Sequence, residues 1–564
     1  SLTPDNGARF RLNVHYQRDD DSEAAMGYLA GEASYGNSCN GYTFHGQNAA
    51  GQNVPVTLSQ EYICGSIPTL GELQKLGYQV VDANTALQPA YLPIALDNSL
   101  DNAFQDKVPL LNHSGMRRDL WRIAFLSDYS LPFGATATVN VGYNSAMTNV
   151  IWDVDRSSTE SFLSSFPSVS EDLTFDARVV SDQSRSLRWL VGVSYFTDLL
   201  QWEEDSLYGP GLVGAFSFLN GFSGLSDYAN ERSYVPAAYA AVDYDILSNL
   251  TLTAEGRYQS DKNTDAPAPA TPTVSATNDT FMPRFILSYK PVQGTMLYVS
   301  YAEGVQPTLL NTDWLTLTPT QKAYVSGFGV GAYTQQPKLE NWEVGIKQSL
   351  FNNRFEYTLD AYRGLWLNQQ TDTAVFGGPL PPGGVYLYLS NNATVKGVEF
   401  SGKARITRGW SAGLEVNYVH AIWDSYYNAT LAGFTVGGID HFAGNELSRV
   451  PSWTGSFNTE YTNHLLGNWD WYARADVNYT GSMWDSDINI VKTDPYYRVN
   501  AVLGVRKDHF SYELFAKNLL NDRHWDFAER VPNLIEPNAT FTNEGLLVQA
   551  PDKQEIGFRA NIRF

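Results

Sequence analysis

From one end of the chain to the other, apolar and polar residues alternate with a period of two. In "ARFRLNVHYQ", Phe10, Leu12, Val14 and Tyr16 fall on one parity; Arg9, Arg11, Asn13 and His15 fall on the other. Successive side chains of a strand point to opposite faces, so this segment predicts a strand with one apolar and one polar face. The same pattern recurs in "DLWRIAFLSDY", "ATATVNVGYN", "DLTFDARVVS", "LRWLVGVSYF", "VPAAYAAVDYD" and "LTLTAEGRYQ", and onward to the final "QEIGFRANIRF", for 18 segments in all. Helical spacing is almost absent. "LGELQKLGYQVV" predicts one short helix, inside a loop.

The connections alternate between short and long. "LPFG", "SDQSRS", "ILSN", "PVQG", "FNNR", "TRG", "NHLLGN" and "KDH" are tight turns. Residues 18–115, 146–171, 197–233, 259–280, 303–339, 364–394, 420–450, 481–495 and 520–553 are long loops. A soluble sandwich has no reason to place every long loop at one end, whereas an outer-membrane barrel does. The expected fold is therefore all-β, an antiparallel transmembrane β-barrel with 18 strands visible and residues 1–564 forming a single barrel unit. Phe10, Leu12, Val14, Phe285, Leu287, Phe355, Tyr357, Val477, Leu503, Phe558 and Ile562 are expected to face lipid. Arg11, Asn13, Glu255, Arg257, Glu343, Lys347, Glu356, Asp360, Glu399, Asp476, Arg559 and Asn561 are expected to face the lumen.

Composition narrows the picture. No apolar run reaches the roughly 18 residues of a transmembrane helix. Mean hydropathy is −0.29, which suits strands that are only half apolar. The net charge of −22 argues against nucleic acid as a partner, since phosphate binding needs a basic face. Cys39 and Cys64 have no CxxC spacing and no histidine cluster beside them, so a disulfide across the first long loop is expected over two free buried thiols. The start "SLTPDNGARF" has neither an initiator Met nor an apolar leader, implying a removed signal peptide or a true start further upstream.

Catalytic chemistry finds no support. His15, His45, His113, His420, His441, His464, His509 and His524 are scattered without metal-ligand spacing, and "GPGLVG" and "GFGVGAY" precede no helix that would cradle a phosphate. "RDDDSE" reads better as a solvated loop stem than as a calcium site. No enzyme activity, cofactor or metal is expected. The long loops are rich in aromatics instead. Trp202, Tyr208, Trp314, Tyr324, Trp423, Tyr426 and Tyr427 are candidates for stacking on a sugar or an aromatic ligand, and the plainer reading is that they pack the loops together. The loops are not conspicuously basic, which disfavours an anionic chelate.

The segments "SLRWLVGVSYF", "FMPRFILSYKPVQGTMLYVSYAEGVQP", "LENWEVGIKQSLFNNRFEYTLDAY", "ATVKGVEFSGKARITRGWSAGLEVNY", "RVPSWTGSFNTEY", "YYRVNAVLGVR" and "YELFAKNLLNDRHW" resemble the barrel of a TonB-dependent outer-membrane receptor. The resemblance implies an energy-coupled importer of a scarce, bulky nutrient, a siderophore, a carbohydrate or an aromatic compound, small or oligomeric, set among lipid and lipopolysaccharide in the outer membrane of a Gram-negative bacterium. It also implies coupling to the TonB complex through a plug. Such receptors are plugged barrels of about 22 strands, and neither a plug nor the first four strands is recognisable here; "ARFRLNVHYQRDDD" resembles the fifth. Phe564, with alternating apolar residues behind it, resembles the insertion signal read by the barrel assembly machinery. A passive 18-strand porin, in which the first and last strands pair directly, is the competing expectation; an adhesin or phage-docking barrel is a third.

Overall fold

The computed structural model describes residues 7–22, 26–29, 43–47, 53–57, 65–75, 108–109, 111, 113–154, 162–208, 223–266, 273–375, 377–381, 384–429, 440–532 and 544–563. Cys39, Cys64 and Phe564 lie outside the described residues.

One antiparallel sheet of 18 strands dominates. In chain order its strands are β1 (Ala8–Ser22), β2 (Gly115–Ser130), β3 (Thr136–Asp153), β4 (Phe162–Val180), β5 (Leu187–Tyr208) and β6 (Ser223–Leu247). Then come β7 (Leu250–Asp265), β8 (Val274–Tyr289), β9 (Thr295–Val305), β10 (Lys338–Leu350), β11 (Phe355–Val375) and β12 (Val385–Arg405). The last six are β13 (Trp410–Ser425), β14 (Trp453–His464), β15 (Asp470–Thr480), β16 (Tyr496–Lys507), β17 (Phe510–Lys517) and β18 (Glu555–Ile562). Each segment of alternating residues became one of these strands, and each strand pairs with its neighbour in sequence. The periodicity understated the lengths: β5 and β6 run 22 and 25 residues, well past the alternating stretch.

The tight turns suit their residues. Asn352 and Asn353 in "FNNR" take φ of 57° and 62°, and Asp508 in "KDH" takes 49°. Asn and Asp tolerate this left-handed region because their short polar side chains bond locally.

Register carries one apolar face across the whole sheet, because residues paired directly across an antiparallel ladder point the same way. Leu12 pairs with Phe125, Phe125 with Val141, and Val141 with Phe175. Farther along, Leu252, Leu287, Val299 and Val344 form one row, and Leu503, Leu514 and Phe558 another. This face is bare: Leu12 is 64% exposed and Phe558 68%. A water-soluble protein does not leave so large an apolar band open. No second sheet covers it among the described residues, which separates this wall from a sandwich.

The packed core lies instead among the long loops. Phe442, Ile488, Ile490, Val491, Trp525 and Val548 are almost fully buried together there. The strand Met26–Leu29, in the loop after β1, joins the hairpin Phe527–Pro532/Glu544–Gln549 in the loop before β18. The Gly65 N–H donates to the Ile490 carbonyl at 2.9 Å, and Leu70, which opens the expected helix α1 (Leu70–Lys75), donates to the Arg523 carbonyl at 3.1 Å. Trp525 Nε1 donates to the Pro68 carbonyl at 2.8 Å. The loops beside the two edge strands are thus joined at this end. The edges themselves are not: among the described residues β1 pairs only with β2, and β18 only with β17. This is the outcome opposite to the one a complete 18-strand porin requires.

Candidate functional site

The polar face is continuous too. On β7, Glu255, Arg257, Gln259, Asp261, Asn263 and Asp265 share one parity. Glu343 and Lys347 on β10, Asp360 on β11, Glu399 on β12 and Arg559 on β18 occupy the same face of the wall. Arg559 pairs with Glu513 at 3.2 Å and Arg284 with Glu255 at 3.3 Å. Lys347 sits over the Tyr298 ring at 5.4 Å. Arg11, on edge strand β1, lines a small hollow with Arg9, Asp128 and Arg178. These side chains make a polar wall, in which Glu343, Lys347 and Glu399 lie close enough to Asp360 to act on its charge.

The concave site lies higher, towards the long loops. Segment 306–336 folds back onto the polar face and is tied there by amide and hydroxyl groups. Asn278 Nδ2 donates to Thr308 Oγ1 at 2.7 Å, Thr280 Oγ1 to Gln336 Oε1 at 2.6 Å, and Gln336 Nε2 to Asp261 Oδ2 at 3.1 Å. Gln370 Nε2 donates to the Pro307 carbonyl at 2.9 Å. Between this segment and the outer ends of β5, β6 and β7 remains a cavity of about 410 Å³. That is a usual size for a small-molecule site. Trp202, Glu231, Asn263, Asp265, Gln306 and Gln370 line it.

Its electrostatics are acidic. Burial, with the charges of Asp265 and Asp198 nearby, pushes the Glu231 carboxyl up to about 7, partly offset by a hydrogen bond from Trp202. Asp265 accepts the Asn230 N–H at 3.0 Å. Arg232 also borders the cavity and is exposed.

Of the seven aromatic candidates, Trp202 lines this cavity. Tyr208 stacks on Phe162, with ring centroids 4.3 Å apart. Trp423 and Tyr426 are 3% and 5% exposed inside the loop core and pack on each other. Tyr324, Phe328 and Tyr427 form a chain of rings, and Trp314 packs beside them under Lys322. These rings hold loops together in this conformation. Alternation alone cannot separate the two uses, because loop aromatics have no period.

The helices α2 (Asp313–Thr316) and α3 (Pro319–Ser326) in this segment went unpredicted. A signal was present: "TPTQ" puts Thr318 at the N-cap, Pro319 at the first turn and Gln321 three residues on, and both capping-box bonds form. Asn263 and Glu231 were also passed over, since a strand residue shows no sign of which loop will fold across it.

Two further hollows sit elsewhere. One of about 860 Å³ lies at the short-turn rim, bordered by Lys290, Lys347, Lys403 and Glu356. Another, of about 820 Å³, is a groove in the apolar face floored by Ala473, Ala475, Ala501 and Ala516. Neither is framed by the long loops.

Comparison with known proteins agrees with this architecture. The family described as TonB dependent receptor-like, beta-barrel matches residues 65–519. The ferric yersiniabactin uptake receptor FyuA from Yersinia pestis aligns over 80% of this chain and 62% of its own, at 13% identity and a TM-score of 0.61. The siderophore receptor PiuA from Acinetobacter baumannii aligns over 99% and 73%, at 13% identity and 0.62. The pyoverdine outer membrane receptor FpvA from Pseudomonas aeruginosa PAO1 aligns over 80% and 62%, at 13% identity and 0.58. The chain thus spans about 62% of the length of two of these receptors. At such identities the likeness is one of fold. The alternating strands, the one-sided loops and the match over residues 65–519 together place this chain in the TonB-dependent receptor-like β-barrel family.

Proposed function

We propose that this chain is the wall and outer loops of an outer-membrane importer that takes up a scarce, bulky nutrient and is driven by the TonB complex. The observation that carries this reading is the pair of unpaired edges. A porin of 18 strands needs β1 hydrogen-bonded to β18, and these strands pair only with β2 and β17 among the described residues. Bare backbone groups in hydrocarbon cost several kcal/mol each, so an open wall cannot stand there alone. Four further strands complete it, and a plug fills the lumen and meets the TonB complex. Both come from a segment outside these 564 residues or from a separate chain. The nutrient enters from the long-loop side and rests against the polar face, with the cavity at Trp202 as its first station. Strands insert through the barrel assembly machinery, and the apolar face then lies among lipid and lipopolysaccharide.

The test is uptake. A deletion strain screened on candidate nutrients should lose uptake of one of them, and removing TonB should cause the same loss. Uptake that survives without TonB would overturn the energy-coupled reading. Rapid disulfide formation between Val14→Cys on β1 and Phe558→Cys on β18 would overturn the open wall.

A further inference from the structure

We propose that the cavity at Trp202 binds a neutral, hydroxyl-rich ring, such as one unit of an oligosaccharide, and excludes anionic ferric chelates. The proposal rests on the import reading and adds the chemical class of the cargo.

Three features of the cavity converge on it. The first is an unmet acceptor. Asn263 is 8% exposed and lines the cavity. Its Oδ1 has no hydrogen-bond partner, while its Nδ2 reaches the Thr308 carbonyl at only 3.5 Å. Buried polar atoms are nearly always paired, and this one is closed to solvent here, so a turn of the Asn263 amide brings it to a ligand donor in the cavity. A hydroxyl supplies that donor.

The second is charge. Glu231 and Asp265 both border the space, and Asp198 acts on Glu231 from close by. A carboxylate-rich or catecholate ferric complex would bring further negative charge against this set, with only Arg232 among the lining residues to oppose it. Like charges in a partly desolvated site repel strongly. A neutral polyol avoids the repulsion and offers adjacent O–H groups, which one carboxylate accepts in pairs. The raised Glu231 carboxyl is also partly protonated near neutral pH, and so donates as well as accepts.

The third is shape. Trp202 gives an apolar aromatic surface amid polar groups, with Gln306 and Gln370 completing the rim. An aromatic body with carboxyls and amides around it matches a ring that is apolar on its C–H faces and polar at its edge.

The experiment uses the full-length receptor in detergent and isothermal titration with cellotetraose, xylotetraose, maltotetraose and galactotetraose. Ferric citrate, a ferric catecholate and spermidine serve as charged probes. The expected result is binding of at least one tetraose, weakened roughly thirtyfold by Trp202→Ala, as for a buried aromatic anchor. Asn263→Leu should weaken it as well, and Tyr427→Phe should leave it unchanged. Trp202→Phe and Glu231→Gln keep the test valid should the alanine variant fail to fold. Binding of a ferric chelate or of spermidine in place of the sugars overturns the proposal, as does silence from every tetraose. Uptake separates the two readings. A bound sugar imported without TonB leaves this inference standing and defeats energy coupling; a ferric chelate imported only with TonB does the reverse.

Discussion

Tyr298 on β9 lies directly over Gly345 on β10, its partner in register, and donates its hydroxyl to Glu343 at 2.5 Å. A Cβ at position 345 would meet the ring at 2.6 Å. The same arrangement recurs where Tyr472 covers Gly504 and bonds Glu513 at 2.6 Å. Tyr362 covers Gly397 and Tyr239 covers Gly192 in like manner. Each glycine removes a side chain so that an aromatic ring can lie along the polar wall, with its hydroxyl delivered to a neighbouring group where the bond forms. Gly345→Ala should therefore destabilise the wall by about 1–3 kcal/mol, the usual cost of overpacking. Gly304→Ala on β9, where a Cβ meets nothing within 4 Å, is the matched control. Urea unfolding in detergent or lipid reads the difference, and equal midpoints would refute it.

Charge on the apolar face should be costly. Phe285 is 49% exposed and shares its row with Ala254 and Tyr301. Phe285→Arg should cost about 2–4 kcal/mol if it reaches the bilayer midplane. Arg284→Gln, one residue along and facing Glu255, should cost far less because its ion pair is half exposed. Refolding into vesicles with both variants checks this, and a reversed order would put the faces the other way round.

Acid should stabilise the outer region. Burial raises Glu231 from 4.5 to about 7 and Asp205, with Glu204 beside it, from 3.8 to about 7. A carboxyl raised on folding binds more protons in the folded state. Its contribution is complete below the unfolded value and is lost as pH climbs through the folded one. The window is thus about pH 4 to 7. For Glu231 the loss is on the order of 3 kcal/mol. Glu231→Gln should flatten this part of the profile, measured as Tm against pH in detergent; a variant as pH-dependent as the parent would contradict the assignment.

Trp525 joins the first long loop to the last, buried to 2% exposure and bonded to the Pro68 carbonyl. Trp525→Ala should release segment 65–75 from its contacts at Arg523 and Ile490, at a cost of about 3–5 kcal/mol to the loop core. Faster hydrogen exchange at Gly65, Ile67 and Leu70, with the wall strands unchanged, is the expected readout.

What alternation decides, it decides locally. A period of two requires only that each side chain oppose its neighbours, so Leu12 and Phe558 could be assigned to one face and Arg11 and Arg559 to the other before any partner was known. The 18 strands and their order followed, since each tight turn returns the chain beside the strand it left. Nothing in that period says whether the ends of the wall meet. Whether they do depends on a contact between β1 and β18, more than 500 residues apart, and only the folded molecule shows that these strands do not pair with each other among the described residues. The same limit governs the site. Trp202 was legible as a loop aromatic, but so were Trp423 and Tyr427, and burial in separate loop cores sets those two apart. Asn263 carried no mark at all, because its meaning comes from segment 306–336 crossing the wall above it. Local sterics write the strands into the sequence; which buried polar atom is left waiting for a ligand depends on which distant loop happens to cover it.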